Sequence, residues 1–410
     1  MKFSNLKIGW RNLGRNKKRT GLALLAIGVG QFALLASNGL MRGYADNIRL
    51  AITGPMVGHA QVHAPKWRKE RALDLYIENL SGIITEIRDD EAVGSAAGRI
   101  YAPVLVAPER DAFVAIVVGL DIEVESEPYG MLSGLDEPLR DRHVLLGHRL
   151  AGKIAAGQGD EIAVVGQAAD GSLANDLFIV QDIISSPADL INQSGVVMSL
   201  TNAQELFVMP EKAHEIVIRA TEAGKAEQIV QRLGQSPALA ETEIKPWTEI
   251  VPELVIILKT SDYVGYFVVI IVFIAAVTGI ANTLMMATFE RMHEFGMLLA
   301  LGSRPRRLVR LIVIEAILTG LLGVIIGTVL GYLFVIGTAD SGIDMASWGG
   351  SGEVKDMAYK GLNLPLHVYP RLELSDMLLG LVAVMFTSLV ASVWPAWIAA
   401  RLEPVEAMRA

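Results

Sequence analysis

No cysteine occurs among the 410 residues. That excludes a disulfide framework, thiolate metal sites, thiol catalysis and a lipid-modified N-terminal cysteine. Neither G-x-S-x-G nor H-E-x-x-H occurs, so hydrolytic chemistry has no motif behind it. A nucleotide loop is lacking as well. Gly147–Ile154 reads GHRLAGKI and matches G-x-x-x-x-G-K, but Ile154 stands where a hydroxyl should meet Mg²⁺. The chain is therefore not expected to hydrolyse ATP itself. His59 and His63 are four apart in a segment that alternates like a strand, which spreads them over ~13 Å, too far to share one ion. His143 and His148 have no carboxylate pattern around them. No catalytic, metal or cofactor site is expected in this chain.

What is present is apolar: 52% of the residues are hydrophobic, too many for a purely soluble protein of this length. A bilayer core of ~30 Å needs about 20 consecutive apolar residues in a helix. Gly21–Met41, Tyr263–Thr288, Leu308–Gly337 and Met377–Ala400 meet that requirement. Charge orients them. Residues 1–19 carry seven basic groups and no acid, whereas residues 20–288 carry 19 basic and 33 acidic groups, a balance of −14. The positive-inside rule then places both termini and the loop after residue 288 in the cytoplasm of a bacterial inner membrane, as a multi-pass protein. The acidic exterior argues against nucleic acid as a partner. The first apolar run is longer than a signal-peptide core and has no A-x-A site after it, so it is expected to stay as a span.

The expected fold is an α-helical membrane protein with four transmembrane helices and a large α+β extracytoplasmic domain between the first two. The divisions are a cytoplasmic interfacial amphipathic helix over 1–20, a span at 21–42, the outer domain at 43–262 and a span at 263–288. A coupling helix and loop at 289–307, a span at 308–337, an outer loop at 338–376, a span at 377–400 and a cytoplasmic tail at 401–410 complete the chain. In 3–19, Phe3, Leu6, Trp10 and Leu13 share one helical face beside Lys7, Arg11, Arg15 and Lys18, which fits contact with membrane lipids or serves as a topology signal. In the outer domain, Gly58–Ala64, a helix through Tyr76, Leu80, Ile83, Ile84 and Ile87, and Arg99–Ala107 form a strand–helix–strand unit. His214–Ala220, a helix with Ala223, Ala226, Ile229, Val230 and Leu233, and Glu241–Trp247 form another. A mainly β subdomain over about 110–205 is inserted between them, with strands at Phe113–Gly119, Glu161–Val165, Leu177–Val180 and Gly195–Leu200.

Between the second and third spans the chain reads FERMHEFGMLLALGSRPRRLVRLIVIE, Phe289 to Glu315. A few turn residues would have closed this loop. Instead it holds a short amphipathic helix, broken at Gly302-Ser303-Arg304-Pro305, with Arg291, Arg304, Arg306, Arg307 and Arg310 against Glu290 and Glu294. Strapped between two spans at the cytoplasmic face, such a helix suits reception of a push from a soluble partner. In the third span Gly320, Gly323, Gly327 and Gly331 form a close-packing stripe, for another helix of the chain or for a second subunit. Glu315, a carboxylate inside that span, is expected to pair at the cytoplasmic rim with Arg307, Arg310 or Arg291 rather than to relay protons. Pro395 should kink the fourth span.

Taken together, these segments resemble the FtsX-like, MacB/LolC/LolE-type permease subunits of ABC transporters over almost the whole chain. The run Trp10–Thr20 looks like the family's opening. Glu290-Arg291, Glu294-Phe295-Gly296 and Ala300-Leu301-Gly302 match its E-R-x-x-E-I-G-x-x-x-A-L-G segment, with Phe295 for the usual Ile. Glu315-Ala316, Leu146-Gly147-x-x-Leu150-Ala151 with Gly159-Asp160, and Pro395 through Arg401, Pro404 and Glu406 to Arg409 are similar to further family patterns. The resemblance implies ATPase coupling through Glu290, Arg291, Glu294, Phe295, Gly296, Leu298, Leu299, Leu301 and Gly302, and disruption at Leu299 is expected to uncouple. It also implies a separate cytoplasmic ABC ATPase dimer carrying ATP and Mg, a second permease copy or paralogue, and a possible periplasmic carrier or adaptor protein. The implied mechanism is mechanotransmission, with the outer domains changing shape around a cargo. The size of the outer domain and of the 338–376 loop most resembles lipoprotein-releasing members. A MacB-like efflux permease for drugs or peptides and an FtsX-like regulator of a cell-wall hydrolase are the alternatives. A secondary transporter would want more spans and more intramembrane ligands.

Overall fold

The computed structural model describes residues 17–401 together with 11 and 14, apart from 109–110, 129, 133–134, 136, 187, 346–356, 360–361 and 365–366. The interfacial helix and the tail expected at the two ends lie almost wholly outside those residues. In chain order, helix α1 (Lys17–Ile52) leads to strand β1 (Ala60–His63), α2 (Leu80–Arg88) and β2 (Val93–Ala107). Then come β3 (Phe113–Leu120), β4 (His143–Gly147), β5 (Glu161–Gln167), β6 (Leu173–Ile184) and β7 (Gly195–Ser199). Strand β8 (Glu215–Ala220), α3 (Ala226–Leu233) and β9 (Glu243–Pro246) lead to α4 (Pro252–Glu290), α5 (Met292–Ala300), α6 (Pro305–Ala339) and α7 (Leu374–Ala400). Among the described residues, four helices are long and apolar enough to cross a membrane: Thr20–Val57, Pro252–Glu290, Pro305–Ala339 and Leu374–Ala400. The chain divides into two compact units, one of residues 1–46, 258–345 and 367–410, the other of residues 47–257 and 346–366.

The first unit is the helical one. Gly323, Gly327 and Gly331 of α6 meet α1 so closely that a Cβ on any of them would strike Ile27, the Gly28 carbonyl and Gln31, or Leu35. Gly320 faces Ser388 and Val384 of α7 instead. The stripe is thus filled from within the chain, which in a membrane is how small residues gain packing without a hydrophobic driving force. Farther along α1 from its basic start, Arg42 pairs with Glu373 at 2.6 Å and Asp376 at 3.0 Å, the two residues of the capping box that opens α7. Helix α7 runs on through Pro395 to Ala400.

The second unit is the outer domain, and strand β2 organises it. The first half of β2 pairs with β8, and β1 lies between β8 and β9, all antiparallel. With α2 and α3 this is a split β-α-β pair in the order β2-β8-β1-β9. The second half of β2 pairs with β3 on one side and β5 on the other, and β3-β7-β4-β6-β5-β2 closes into a six-stranded barrel. Alternate residues fill it, among them Val104, Val106, Ala115, Val117, Leu146, Val164, Phe178 and Met198. The outward residues Val118, Leu120, Leu145 and Val197 are buried as well, under Leu132, Leu139 and Ile191. These strands therefore read as unbroken apolar runs rather than alternating ones.

Helix α1 passes Met41 without a break, and a π-helical turn, Thr53–Val57, follows Ile52. The sequence boundaries at 42 and 263 mark where hydropathy falls, not where helix ends. Carbonyls at the end of a helix need donors, and buried arginines supply them here. Arg99 donates to the Pro55 carbonyl at 2.7 Å and to that of Met56 at 2.5 Å, while Arg219 donates to Gly54 at 2.9 Å. Glu125 balances both cations, at 2.7 Å from Arg99 and 2.5 Å from Arg219, and accepts the Met131 N–H at 2.9 Å. Burial opposes the ionisation of Glu125, but the two guanidiniums reverse that and hold its pKa below the usual carboxylate range.

Candidate coupling site

A single non-helical residue, Arg291, separates α4 from α5. Helix α5 stops in a Schellman arrangement. The Gly302 N–H bonds to the Leu299 carbonyl at 2.9 Å and the Ser303 N–H to that of Leu298 at 3.0 Å, with Gly302 at φ +86°. A side chain at Gly302 would be strained in that conformation. Pro305 then opens the first turn of α6, where its missing N–H costs nothing. The link between two long helices is thus closed by backbone hydrogen bonds at both of its bends.

Helix α5 has two apolar faces with different neighbours. Phe295 is almost fully buried against Leu308, Ile312, Ala396 and Ala399, and Leu299, one turn on, packs against the same cluster. Gly296 is buried beside them. Met297, Leu298 and Leu301 lie exposed, Leu301 to 80%, and Phe289 before the helix is exposed too. Arg304, Arg306, Arg307 and Arg310 are exposed close by in the sequence. A short helix that anchors one apolar side and presents another, with cations nearby, fits a protein surface carrying apolar and acidic groups.

Arg291 ties the bend together. Its Nε lies 3.3 Å from Glu294 of α5, its Nη1 lies 3.2 Å from Glu315 of α6, and its guanidinium sits 5.1 Å from the centre of the Phe295 ring. The pairing expected for Glu315 with Arg307 and Arg310 is corrected here. Both arginines are exposed, and among the described residues neither makes an ion pair. Helical spacing explains the difference: five and eight residues are not the three or four that stack side chains on one face. Glu315 lies on the buried stripe with Leu308, Leu311 and Ile312, and Arg291 reaches it across the bend. Glu290, at the end of α4, is exposed.

Apart from exposed Glu290 and the helix-ending Gly302, the coupling residues expected from sequence therefore fall into three sets. Phe295, Gly296 and Leu299 anchor α5; Leu298 and Leu301 face outward; Arg291 with Glu294 pins the bend. Met297, outward as well, belongs with the second set. The i, i+4 spacing of Phe295 and Leu299 puts those two on one side, but periodicity over nine residues is too short to say which apolar side is covered. The phosphate-loop match resolves into strand β4 and a helix, His148–Ile154, with the Ile191 carbonyl packed where a side chain on Gly147 would be. His59 accepts a hydrogen bond from the Ala220 N–H at 2.9 Å, and His63 meets Gln61 at 2.9 Å.

Residues 20–236 match a family model described as MacB-like periplasmic core domain, and residues 266–404 one described as FtsX-like permease C-terminal. The lipoprotein-releasing system transmembrane protein LolC of Xylella fastidiosa is 21% identical over 99% of this chain and 98% of its own length. An ABC transporter permease of Methanocaldococcus jannaschii is 22% identical over 57% of this chain, which spans 55% of that relative's length. The crystal structure of the periplasmic region of MacB from Actinobacillus actinomycetemcomitans aligns with 51% of this chain and 96% of its own, at 12% identity and a TM-score of 0.36.

Proposed function

The chain belongs to the FtsX/MacB/LolC type of ABC-transporter permeases, and from that membership we propose that it carries force from a separate cytoplasmic ATPase to its outer domain, releasing a lipoprotein or other lipophilic cargo. The observation behind this reading is helix α5, fastened through Phe295 to α6 and α7 while Met297, Leu298 and Leu301 remain open to a partner. In this reading the arginines around the bend lie on the cytoplasmic side with both termini, and the ATPase dimer holds ATP and Mg. Two permease subunits, alike or related, stand over that dimer. Closure of the ATPase pushes α5, the bend pinned by Arg291 passes the motion to α4 and α6, and the outer domain responds. The near full-length alignment with LolC favours lipoprotein release over drug or peptide efflux.

Leu301→Asp in the assembled complex tests the reading. It places a charge on the outward face and leaves the Phe295 anchor alone. ATPase stimulation by the permease should fall at least tenfold, with the melting temperature of the isolated permease unchanged. Stimulation at the original level would sink the assignment of α5. Depletion separates the cargoes: lipoproteins stranded in the inner membrane mark release, and drug sensitivity without them marks efflux.

A further inference from the structure

The outer domain carries a partly open cavity of about 490 Å³, within the ~300–1,000 Å³ usual for small-molecule sites. Met56 and Val57, at the end of the turn after α1, and Ile250 and Val251, just before α4, form part of its lining. Ile116, Val118, Met131 and Ile191 add an apolar surface from the barrel side. The remaining lining is of another kind. Trp67 is stacked between His63 and His214, with ring centres 5.5 and 5.7 Å away, so its position is fixed. Arg71, exposed at the surface, lays its guanidinium 4.1 Å from the Trp67 ring centre. Half-buried Arg68 donates to the Ile250 carbonyl at 2.8 Å. Among the described residues neither arginine makes an ion-pair contact within 4.0 Å, although Glu215 attracts both and Glu243 attracts Arg68. Glu215, which also lines the cavity, is engaged by His63 at 3.6 Å, by the Tyr101 hydroxyl at 3.2 Å and by Arg99 at 3.8 Å.

An apolar volume beside two cations that no carboxylate contacts directly, and whose neighbour Glu215 is already engaged by His63, Tyr101 and Arg99, suits a ligand with a hydrocarbon part and a negative end. A neutral apolar ligand would give neither guanidinium a direct anionic contact, and a free anion would leave the apolar lining wet. We propose that this cavity binds the alkyl chain of an anionic amphiphile, with its head group held by Arg68 and Arg71. The site rests on the reading of the chain as a permease for lipophilic cargo and narrows the chemistry of that cargo. An occupant would touch Met56 and Val57, which follow α1 in the chain, and Ile250 and Val251, which precede α4, so filling and emptying of the cavity would bear on the backbone that joins the domain to those helices.

The test uses the full-length permease with its ATPase in nanodiscs of phosphatidylcholine. Diazirine-bearing palmitate is one probe and diazirine-bearing phosphatidylglycerol the other, with cross-linked peptides mapped by mass spectrometry. Label is expected on the segments around Met56 and around Ile116–Met131, competed by unlabelled palmitate and lost in Ile116→Trp, which fills the space. Arg71→Gln, at an exposed position that does not threaten folding, should weaken labelling by the charged probe about tenfold and leave a palmitate methyl ester unaffected. Cavity labelling by palmitate alone identifies a free carboxylate, by phosphatidylglycerol alone a lipid phosphate, and either supports the site. Label confined to the spanning helices, or Arg71→Gln labelling like the parent protein, overturns it. If the cavity takes no label while Leu301→Asp still abolishes ATPase stimulation, the site falls and the permease reading stands.

Discussion

Glu125 is fully buried, yet it stays ionised because two guanidiniums and a backbone N–H meet it. Removing one member of such a cluster leaves charge in a low dielectric without compensation, at a cost of ~3–5 kcal/mol. Glu125→Gln is therefore expected to raise hydrogen exchange in β2 and β8, the strands that carry Arg99 and Arg219. The same residues give the domain an acid limit. Burial favours the neutral form of Glu215, but its hydrogen bond and charge interaction with His63, together with the charges of Arg99 and Arg71, outweigh that and lower its pKa, as the arginines do for Glu125. Both contributions are complete above the ordinary carboxylate value of 4.5 and vanish as pH falls through the lower folded values. His59 and His214 add an earlier step. Burial lowers both below 6.5, so below that pH the unfolded chain takes up protons that the folded domain refuses. Protection factors of β2 and β8 amides, which remove the intrinsic pH dependence of exchange, should hold steady above pH 6.5, fall below it, and fall further below about 4.5; factors unchanged down to about pH 3 would contradict both steps.

At the scale of one element, α5 separates anchoring from docking. Phe295 fills a pocket made by two other helices, and truncating a buried Phe costs ~3–5 kcal/mol. Phe295→Ala should therefore loosen the bend itself, seen as faster exchange at α5 and a lower melting temperature in detergent, together with loss of ATPase stimulation. Leu301→Asp should lose the stimulation alone. Leu299, which the sequence offers as an equally good place to break coupling, is a poorer probe, because it packs in the Phe295 cluster and would confound the two effects. That distinction was not legible in FERMHEFGMLLALG, since both faces of the helix are apolar and only the tertiary neighbours tell them apart. The breaks around it were legible, because Gly302 and Pro305 act locally.

For the whole molecule, each level of the fold was readable to the extent that its cause is local. Long apolar windows announced four spans, and strand–helix–strand periodicity announced both halves of the outer domain. Closure of the barrel was not announced, because it depends on β2 meeting β3, β5 and β8, and no local period encodes a strand shared by two sheets. The partner of the glycine stripe was open for a like reason: spacing shows that something comes close, not what. In the structure Gly323, Gly327 and Gly331 are used up on α1, and this makes a prediction about assembly. A side chain at Gly327 would press on the Gly28 carbonyl and on Gln31, whose Nε2 donates to Thr328 at 3.2 Å. Overpacking of this kind costs ~1–3 kcal/mol. Gly327→Val should thus lower the melting temperature of the permease in detergent while leaving its oligomeric state, read by native mass spectrometry, as it was. A variant that melts normally but falls apart into single chains would mean that the stripe serves a neighbouring subunit instead.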